Sequence, residues 1–306
     1  GRKVRIETPM RPKRLIVVAG ATATGKTAES IRIAKLLSTE IVSSDSRQLY
    51  KEMNIGVARP SHEELQSVPH HLIAHISVKQ KYNVAMYEQE ALRQIEDIFR
   101  SKDDVVLAGG SGLYIKAVCE GIDDIPEADE GIRAELNELF ATRGIEPLQQ
   151  ELKAKDPEYY SLVDKCNHIR LIRALEVCRA TGKTFSSFRK QDKAQRKFEI
   201  VKIGIRRKRE NLLERIYKRV DLMMEQGLLA EVESLLPLRD YPALNSVGYK
   251  ELFEYLDGKT TLSQAVENIK INTRRYAKRQ MTWFCKDKEI QWFDAEKELQ
   301  WNWLLR

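Results

Sequence analysis

A glycine-rich octapeptide near the amino end constrains the fold of this chain more than any other feature. Residues 20–27 read G-A-T-A-T-G-K-T and follow an apolar run at 15–19. This order fits G-x-x-x-x-G-K-[ST], a loop whose backbone N–H groups surround a diphosphate before a helix begins. In such a loop the lysine adds a positive charge and the last hydroxyl binds Mg²⁺. We therefore predict a polyphosphate-binding loop formed by Gly20, Ala21, Thr22, Ala23, Thr24, Gly25, Lys26 and Thr27, with Thr27 as the magnesium ligand.

Short apolar runs alternate with helical patterns along much of the chain. Strands are predicted at 14–19, 40–44, 71–76, 104–108 and 198–205, and long helices at 84–101, 209–226 and 261–285. This alternation is typical of an α/β protein, and with the phosphate loop it predicts a P-loop NTPase-like parallel sheet with helices on both faces. Residues 121–197 contain helical segments and no convincing strand. We predict that they form a helical insertion domain between the two parts of a catalytic core, 13–120 and 198–306.

The composition suits a cytoplasmic protein with a proper core. The 306 residues are 42% hydrophobic and 32% charged, which is enough for one large domain with an insertion or for two domains. No apolar run approaches the ~20 residues that cross a bilayer, and no apolar signal segment follows the basic residues 1–5. The four cysteines show no C-x-x-C spacing, so neither a zinc site nor a disulfide framework is indicated.

Charge changes sign sharply along the chain. Residues 122–165 hold twelve Asp and Glu against five Lys and Arg, whereas residues 166–220 hold seventeen Lys and Arg against five Asp and Glu. Such a basic stretch favours contact with nucleic-acid phosphates, and a solvated basic surface is the alternative. Basic residues at helical spacing, among them Arg215 and Arg219, leave the same two interpretations open.

The predicted strand ends indicate where the chemistry lies. The strand at 104–108 runs into Gly109-Gly110-Ser111-Gly112 and lacks the carboxylate of hydrolytic P-loop enzymes. An acidic strand end occurs instead at Asp45, which should face the phosphate loop because ligands bind at the carboxyl ends of parallel strands. The alternative for Asp45 is a helix N-cap. The histidines at 70, 71 and 75 favour structural or substrate contacts over a metal site.

These motifs, with several others in the same order, resemble the tRNA dimethylallyltransferase family from Leu15 to Phe293. The further matches are D-S-R-Q-L-Y at 45–50, N-I-G-V-A-R-P at 54–60, V-P-H-H at 68–71, G-G-S-G-L-Y at 109–114, R-L-I-R-A-L-E at 170–176, V-G-Y-K-E at 247–251 and T-R-R-Y-A-K-R-Q-M-T-W-F at 273–284. Ser111 replaces the threonine usual in the family. The family's eukaryotic zinc-finger tail is missing, so a bacterial-type member is expected.

The resemblance implies a reaction and a set of residues. A dimethylallyl group would move from dimethylallyl diphosphate to N6 of the adenosine 3′ of the anticodon (position 37) of tRNA, with Mg²⁺ as cofactor. Asp45 would be the base, Ser111 would bind near the reacting atoms, and Arg219 would bind the diphosphate. The insertion would bind the anticodon stem-loop, and the enzyme would act as a monomer. The implied tRNA contacts are Asp45, Ser46, Arg47, Gln48, Ser111, Arg133, Ile169, Arg170, Leu171, Ile172, Arg173, Asn245, Ser246, Val247, Gly248, Tyr249 and Lys250.

Two other functions are compatible with a phosphate loop in an α/β core. One is a small-molecule or nucleoside kinase with a helical lid. The other is a non-catalytic RNA-binding factor that uses the loop as a nucleoside-triphosphate switch. A kinase would need a basic lid beside a small-substrate pocket, and the switch would not depend on Asp45.

Overall fold

The computed structural model describes residues 11–123, 125–189 and 194–306. Their contacts define two compact units, one formed by the chain up to residue 119 together with 196–306, and the other by 120–195. The basic residues 1–5 lie outside the described residues.

A six-stranded parallel sheet forms the centre of the first unit. The strand order is β3-β2-β4-β1-β5-β6, and every neighbouring pair is parallel. The strands are β1 (Arg14–Ala19), β2 (Ile41–Ser43), β3 (His70–His71), β4 (Asp104–Gly109), β5 (Glu199–Arg206) and β6 (Gln291–Asp294). This arrangement confirms the predicted α/β fold with a parallel sheet.

The helices of the described residues are, in chain order, α1 (Lys26–Leu36), α2 (His62–Ser67), α3 (Val84–Phe99), α4 (Gly112–Glu120), α5 (Glu130–Arg143), α6 (Glu146–Lys155), α7 (Pro157–Leu162), α8 (His168–Thr181), α9 (Arg209–Glu225), α10 (Leu228–Ser234), α11 (Lys250–Leu256) and α12 (Leu262–Phe284). None of them is long and apolar enough to cross a membrane.

Helices cover both faces of the sheet. As a result, every side chain of β1 is buried. Leu15 and Val17 pack on one face against α3 and α4. Ile16 and Val18 pack on the other face against α1 and the carboxyl-terminal residues. The alternation follows from strand geometry, in which successive side chains point to opposite faces. A separate apolar cluster joins α9, α10, α11 and α12.

The described residues of the second unit form helices and connecting loops and no strand. Its core is formed by apolar residues of α5, α6 and α8, among them Leu136, Leu148 and Leu171. Asp156 is fully buried there, and its carboxylate accepts the N–H groups of Tyr159 at 3.1 Å and Ser186 at 2.8 Å. Those bonds satisfy a charge that would otherwise be costly to bury.

Two details of the sheet differ from the sequence prediction. The strand predicted at 71–76 is reduced to His70–His71, because Leu72 and Ala74 have φ of 66° and 51°, which are incompatible with a strand. The edge strand β6 was not predicted. It has only four residues and none of them is fully buried, so it lacks the apolar run that marks the central strands.

Candidate active site

Three loops of the first unit meet at the carboxyl edge of the sheet. β1 continues into the phosphate loop at 20–27, β2 into Asp45, and β4 into Ser111. Since β2, β4 and β1 are neighbours in the sheet, their ends place these loops side by side. The Ser111 N–H also donates to Ser44 O at 3.1 Å. The edge is therefore where a ligand of this fold would bind.

The phosphate loop has the backbone conformation of an anion cradle. Ala23 and Gly25 have φ of 66° and 94°, and left-handed residues within such a turn direct successive N–H groups to one concave side. α1 begins at Lys26, directly after Gly25, so its positive amino end belongs to the same cradle. Backbone and helix thus both favour a bound anion.

Three arginines that follow β5 bind the phosphate loop. Arg215 and Arg219 lie one turn apart on α9, so both can reach one ligand. The bonds are from Arg207 Nε to Thr24 O at 2.8 Å, from Arg215 Nε to Ala23 O at 2.8 Å, and from Arg219 Nη1 to Thr22 Oγ1 at 3.1 Å. Arg219 was predicted as a site residue, whereas Arg207 and Arg215 were not assigned to the loop. The signal for Arg215 was only the basic spacing of α9, and Arg207, which precedes α9, was marked only by the basic stretch 166–220.

The surroundings of Lys26 and Arg219 disfavour the charged forms of these two side chains. Burial lowers the pKa of Lys26 to about 8, Asp45 acts to raise it, and Arg219 acts to lower it. Burial and then the neighbouring Arg215 lower the pKa of Arg219, while Asp45 acts in the opposite direction. A bound anion would relieve both effects, because it favours the charged form of each cation.

A cavity of about 270 Å³ opens onto this edge of the sheet. Its wall includes residues of the phosphate loop, Asp45 and Arg219. Apolar side chains line it as well: Val57, Val220, Met223 and Ile269. The same cavity therefore offers a polar, cationic part and an apolar part.

Asp45 is half-buried in the wall of this cavity. Its Oδ1 accepts the Arg47 N–H at 2.9 Å and so closes a turn. Residues 46–49 form turns, so the N-cap alternative is wrong because no helix begins here.

Ser111 contacts the Asp45 loop through its hydroxyl. Its Oγ accepts the Ser46 N–H at 2.8 Å and donates to Ser46 Oγ at 2.9 Å. The hydroxyl therefore fixes the loop that begins at Asp45 relative to the end of β4.

Two of the predicted RNA contacts, Arg47 and Gln48, bind a neighbouring segment of the chain. The Arg47 guanidinium donates to Gly56 O at 3.3 Å and to Val247 O, and it lies 5.7 Å from the centre of the Tyr276 ring. Gln48 Nε2 donates at 3.1 Å to the carbonyls of Val57 and Ala58. Both side chains thus shape the cavity wall.

The predicted segment 245–250 divides between surface and interior. Asn245 and Lys250 are exposed, and the Ser246 hydroxyl donates to Ala243 O at 2.8 Å. Val247 and Gly248 line the cavity. The prediction that Tyr249 contacts RNA directly is wrong, because its side chain is fully buried.

A carboxylate that was not predicted supports this segment. Glu231 accepts the Tyr249 hydroxyl at 2.7 Å and the N–H groups of Ile55 and Gly56 at 2.9 and 3.2 Å. No local pattern marks Glu231, since its partners lie far away in the sequence.

The second unit carries the other predicted RNA contacts. Ile169 and Arg170 are exposed on α8. Arg133 Nε and Arg173 Nη1 pair with the buried Glu176 carboxylate at 2.8 and 3.2 Å.

The prediction that Leu171 and Ile172 of α8 contact RNA is wrong, because both side chains are buried. Leu171 and Ile172 are 0% and 5% exposed within the core of the unit, so their side chains present nothing to RNA.

The histidines engage carboxylates and backbone. His71 Nε2 lies 2.8 Å from Glu40 and His75 Nε2 lies 2.9 Å from Glu90. Within residues 11–123, 125–189 and 194–306, no group of three or more His, Cys, Asp and Glu side chains could hold a metal ion.

The sheet order and the loop at the end of β1 define an α/β protein of the P-loop class. The loop after β2 carries the half-buried Asp45 carboxylate, and the loop after β4 carries the Ser111 hydroxyl where hydrolytic P-loop enzymes have a carboxylate.

Comparison with known proteins narrows this class. The model of the IPP transferase family matches residues 48–287. The tRNA dimethylallyltransferase of Christiangramia forsetii is 51% identical over 90% of this chain and 91% of its own. The crystal structure of a tRNA isopentenylpyrophosphate transferase from Bacillus halodurans is 37% identical, has a TM-score of 0.69, and is covered over 91% of its length by 94% of this chain. A eukaryotic dimethylallyltransferase acting on tRNA gives a TM-score of 0.75 at 27% identity, over 92% of this chain and 74% of that one.

The chain belongs to the IPP transferase family and is a transferase. The match confirms the resemblance inferred from the sequence motifs.

Proposed function

We propose that this chain transfers a dimethylallyl group from dimethylallyl diphosphate to N6 of the adenosine 3′ of the anticodon in tRNA. The observation that carries the proposal is the pairing of a phosphate cradle with a carboxylate across one cavity that also has an apolar part. Related proteins are named tRNA dimethylallyltransferase, which agrees with transfer of this group to tRNA.

The diphosphate of the donor would bind the phosphate loop. Backbone N–H groups, Lys26 and Arg219 would receive its oxygens, and their charges would offset the charge that develops as it leaves. The five-carbon group would then extend along the apolar wall formed by Val220, Met223 and Ile269.

The residues present fit Mg²⁺ held largely by its substrate. Mg²⁺ usually takes one or two protein oxygens and completes its shell with phosphate and water. The Thr27 hydroxyl lies in the cavity wall in the first turn of α1, and no metal-binding cluster exists among the described residues to hold an ion alone. Thr27 and the diphosphate oxygens would therefore hold the ion, which would withdraw charge from the leaving group.

Asp45 is assigned as the general base. Adenine N6 is a weak nucleophile because its lone pair is delocalised into the ring. As the bond from N6 to C1 of the donor forms, the bond from C1 to the diphosphate oxygen breaks, the diphosphate leaves, and one N6 proton passes to the Asp45 carboxylate. Such a positioned base contributes typically 10²–10⁴-fold to the rate. Ser111 would hold this loop and contact the N6 centre.

The tRNA would be recognised through its single-stranded loop, whose target base must leave the stack to react. Exposed basic and polar residues of both units are the assigned contacts: Arg133, Arg170, Asn245 and Lys250. The helical insertion would bind the anticodon stem-loop. The proposal includes action as a monomer, and a tRNA substrate implies the cytoplasm.

The test uses the full chain with an unmodified tRNA transcript, Mg²⁺ and radiolabelled dimethylallyl diphosphate. Label should appear in the RNA, and nuclease digestion should place it on the adenosine 3′ of the anticodon. A transcript with guanosine at that position is the matched control and should take no label. Hydrolysis or transfer of the γ-phosphate of ATP without prenylation would instead support a kinase or a nucleotide switch.

A further inference from the structure

The side chain of Gln280 connects the two loops between which the proposed reaction takes place. Its Oε1 accepts the Thr22 N–H at 2.8 Å, and its Nε2 donates to Gly110 O at 3.0 Å. Thr22 belongs to the phosphate loop, and Gly110 immediately precedes Ser111. One carboxamide thus bridges the leaving-group side and the Ser111 side of the cavity.

The bridge lies where the sheet no longer joins the two chains. β1 and β4 pair up to Ala19 and Gly109, and beyond that register pair they turn away into separate loops. Gln280 is only 8% exposed, and a Cβ on Gly110 would overlap its carboxamide. A glycine at this position therefore lets the loop approach Gln280 closely.

The carboxamide of Gln280 satisfies both ends of the bridge, because it offers an acceptor and a donor. The Thr22 N–H requires an acceptor and the Gly110 carbonyl requires a donor, so the two contacts fix which end of the amide is oxygen. A glutamate would set an oxygen against the Gly110 carbonyl, and a methionine of similar length would leave both backbone groups without this partner.

We infer that Gln280 is a positioning residue, which sets the separation between the phosphate loop and the Ser111 loop and hence between the leaving group and the base. The inference rests on the proposed function. Near-attack geometry is sensitive to small displacements, and a misplacement of about 1 Å can cost on the order of 100-fold in rate. Residues that contact tRNA alone are not affected by this bridge.

The experiment compares Q280E and Q280M with wild type, and uses Q264E as the matched control. Gln264 lies on the same helix and is exposed, and its side-chain Nε2 donates to Asn268 Oδ1 at 2.9 Å, outside the cavity wall. Single-turnover prenylation with excess enzyme gives a rate constant that does not depend on the fraction of folded protein. We expect it to fall on the order of 100-fold in Q280M and Q280E, with an unchanged Kd for tRNA and with Q264E equal to wild type.

Binding of inorganic diphosphate with Mg²⁺, measured by calorimetry, provides a second readout that needs no transfer. Q280E should bind diphosphate about tenfold more weakly, because it adds a negative charge behind the phosphate loop. Single-turnover rates within about twofold of wild type, together with an unchanged diphosphate Kd in Q280E, would overturn the assignment. A wild type that binds diphosphate but prenylates no RNA would refute the proposed function, and the diphosphate Kd of Q280E would still decide the role of Gln280.

Discussion

The Ser111 hydroxyl and Ser46 share two hydrogen bonds, one from the Ser46 N–H at 2.8 Å and one to the Ser46 hydroxyl at 2.9 Å. Because Ser46 follows Asp45 directly, this pair ties the end of β4 to the loop that carries the proposed base. The position of the carboxylate therefore depends on a hydroxyl at residue 111.

Replacing Ser111 tests that dependence. S111A should lower kcat about fivefold, since one net hydrogen bond corresponds to roughly 1 kcal/mol. S111T keeps the hydroxyl and should retain activity within about threefold of wild type. Steady-state prenylation of a tRNA transcript measures both variants. Equal losses in S111A and S111T would show that packing, and not the hydroxyl, matters at this position.

Removing the charge of Asp45 should abolish most turnover without preventing RNA binding. D45N keeps the shape and should lower kcat by about 10²–10⁴-fold, the usual contribution of a general base. The tRNA Kd, from filter binding, should stay within about twofold. D103N removes the charge of the exposed Asp103, which pairs with Lys13, and serves as the control. A tRNA Kd weakened in proportion to the lost rate would make Asp45 a recognition residue.

Lys26 should make diphosphate binding depend on pH. Its pKa is lowered to about 8 in the free protein by burial, and a bound anion raises it again, so binding takes up a proton above that pH. The affinity for diphosphate should therefore be steady below pH 8 and fall as the pH rises through about 8.

Calorimetry from pH 6.5 to 9.5, in buffers of different ionisation enthalpy, measures the affinity and the proton uptake. K26M should bind weakly and should lack the additional proton uptake that wild type shows above pH 8, leaving only the proton exchange of diphosphate itself. The same uptake in K26M and wild type would assign the effect to another group.

The same lowered pKa affects stability. The unfolded lysine keeps its ordinary pKa near 10.5, so between about pH 8 and 10.5 the unfolded chain binds more protons than the folded one. Relative to K26M, the free energy of unfolding of wild type should therefore rise across that window. Urea denaturation of both proteins at pH 7.5 and 9.5 compares them, and a parallel pH dependence would contradict the shift.

Arg219 should affect the donor more than the RNA. R219Q removes the bond to the Thr22 hydroxyl and a buried charge beside the phosphate loop. We expect the KM for dimethylallyl diphosphate to rise about tenfold or more, because a charged hydrogen bond contributes about 1.5–3 kcal/mol. The Kd for tRNA should not change. An unchanged KM and kcat for the donor would remove Arg219 from the site.

Arg133 should affect RNA binding alone. R133Q removes an exposed cation of α5 but leaves Glu176 paired with Arg173. The KM for tRNA should rise several-fold, and the slope of log affinity against log salt should decrease by about one, as for the loss of one phosphate contact. R179Q, whose arginine pairs with Glu151 at 2.6 Å in the same unit, is the control. Equal effects of R133Q and R179Q would indicate a general charge effect.

Much of the fold was predictable because its signals are local. The buried strands β1 and β4 are continuous apolar runs, and the phosphate loop is a contiguous motif between a strand and a helix. The short strand β3 and the edge strand β6 were poorly predicted or missed, since neither has enough buried residues to give a period.

The residues that line the cavity could be predicted from the sequence, whereas the buried residues behind them could not be told apart from binding residues. Lys26, Asp45 and Arg219 line one cavity in the structure. Leu171, Ile172 and Tyr249 lie in matched motifs, yet they are buried and stabilise the units from within. A motif shows that a residue type recurs at a position, whereas burial depends on which side of the local chain packs inward.

By itself the sequence determined the phosphate loop, the alternation that leads to a parallel sheet, and the family, because each depends on residues that are neighbours in the sequence. Only the tertiary structure decided that Gln280 meets Thr22 across 258 positions and that Arg219 meets it across 197. Contacts over such separations follow from strand order and helix packing, which are set by the burial of the whole core rather than by any local pattern.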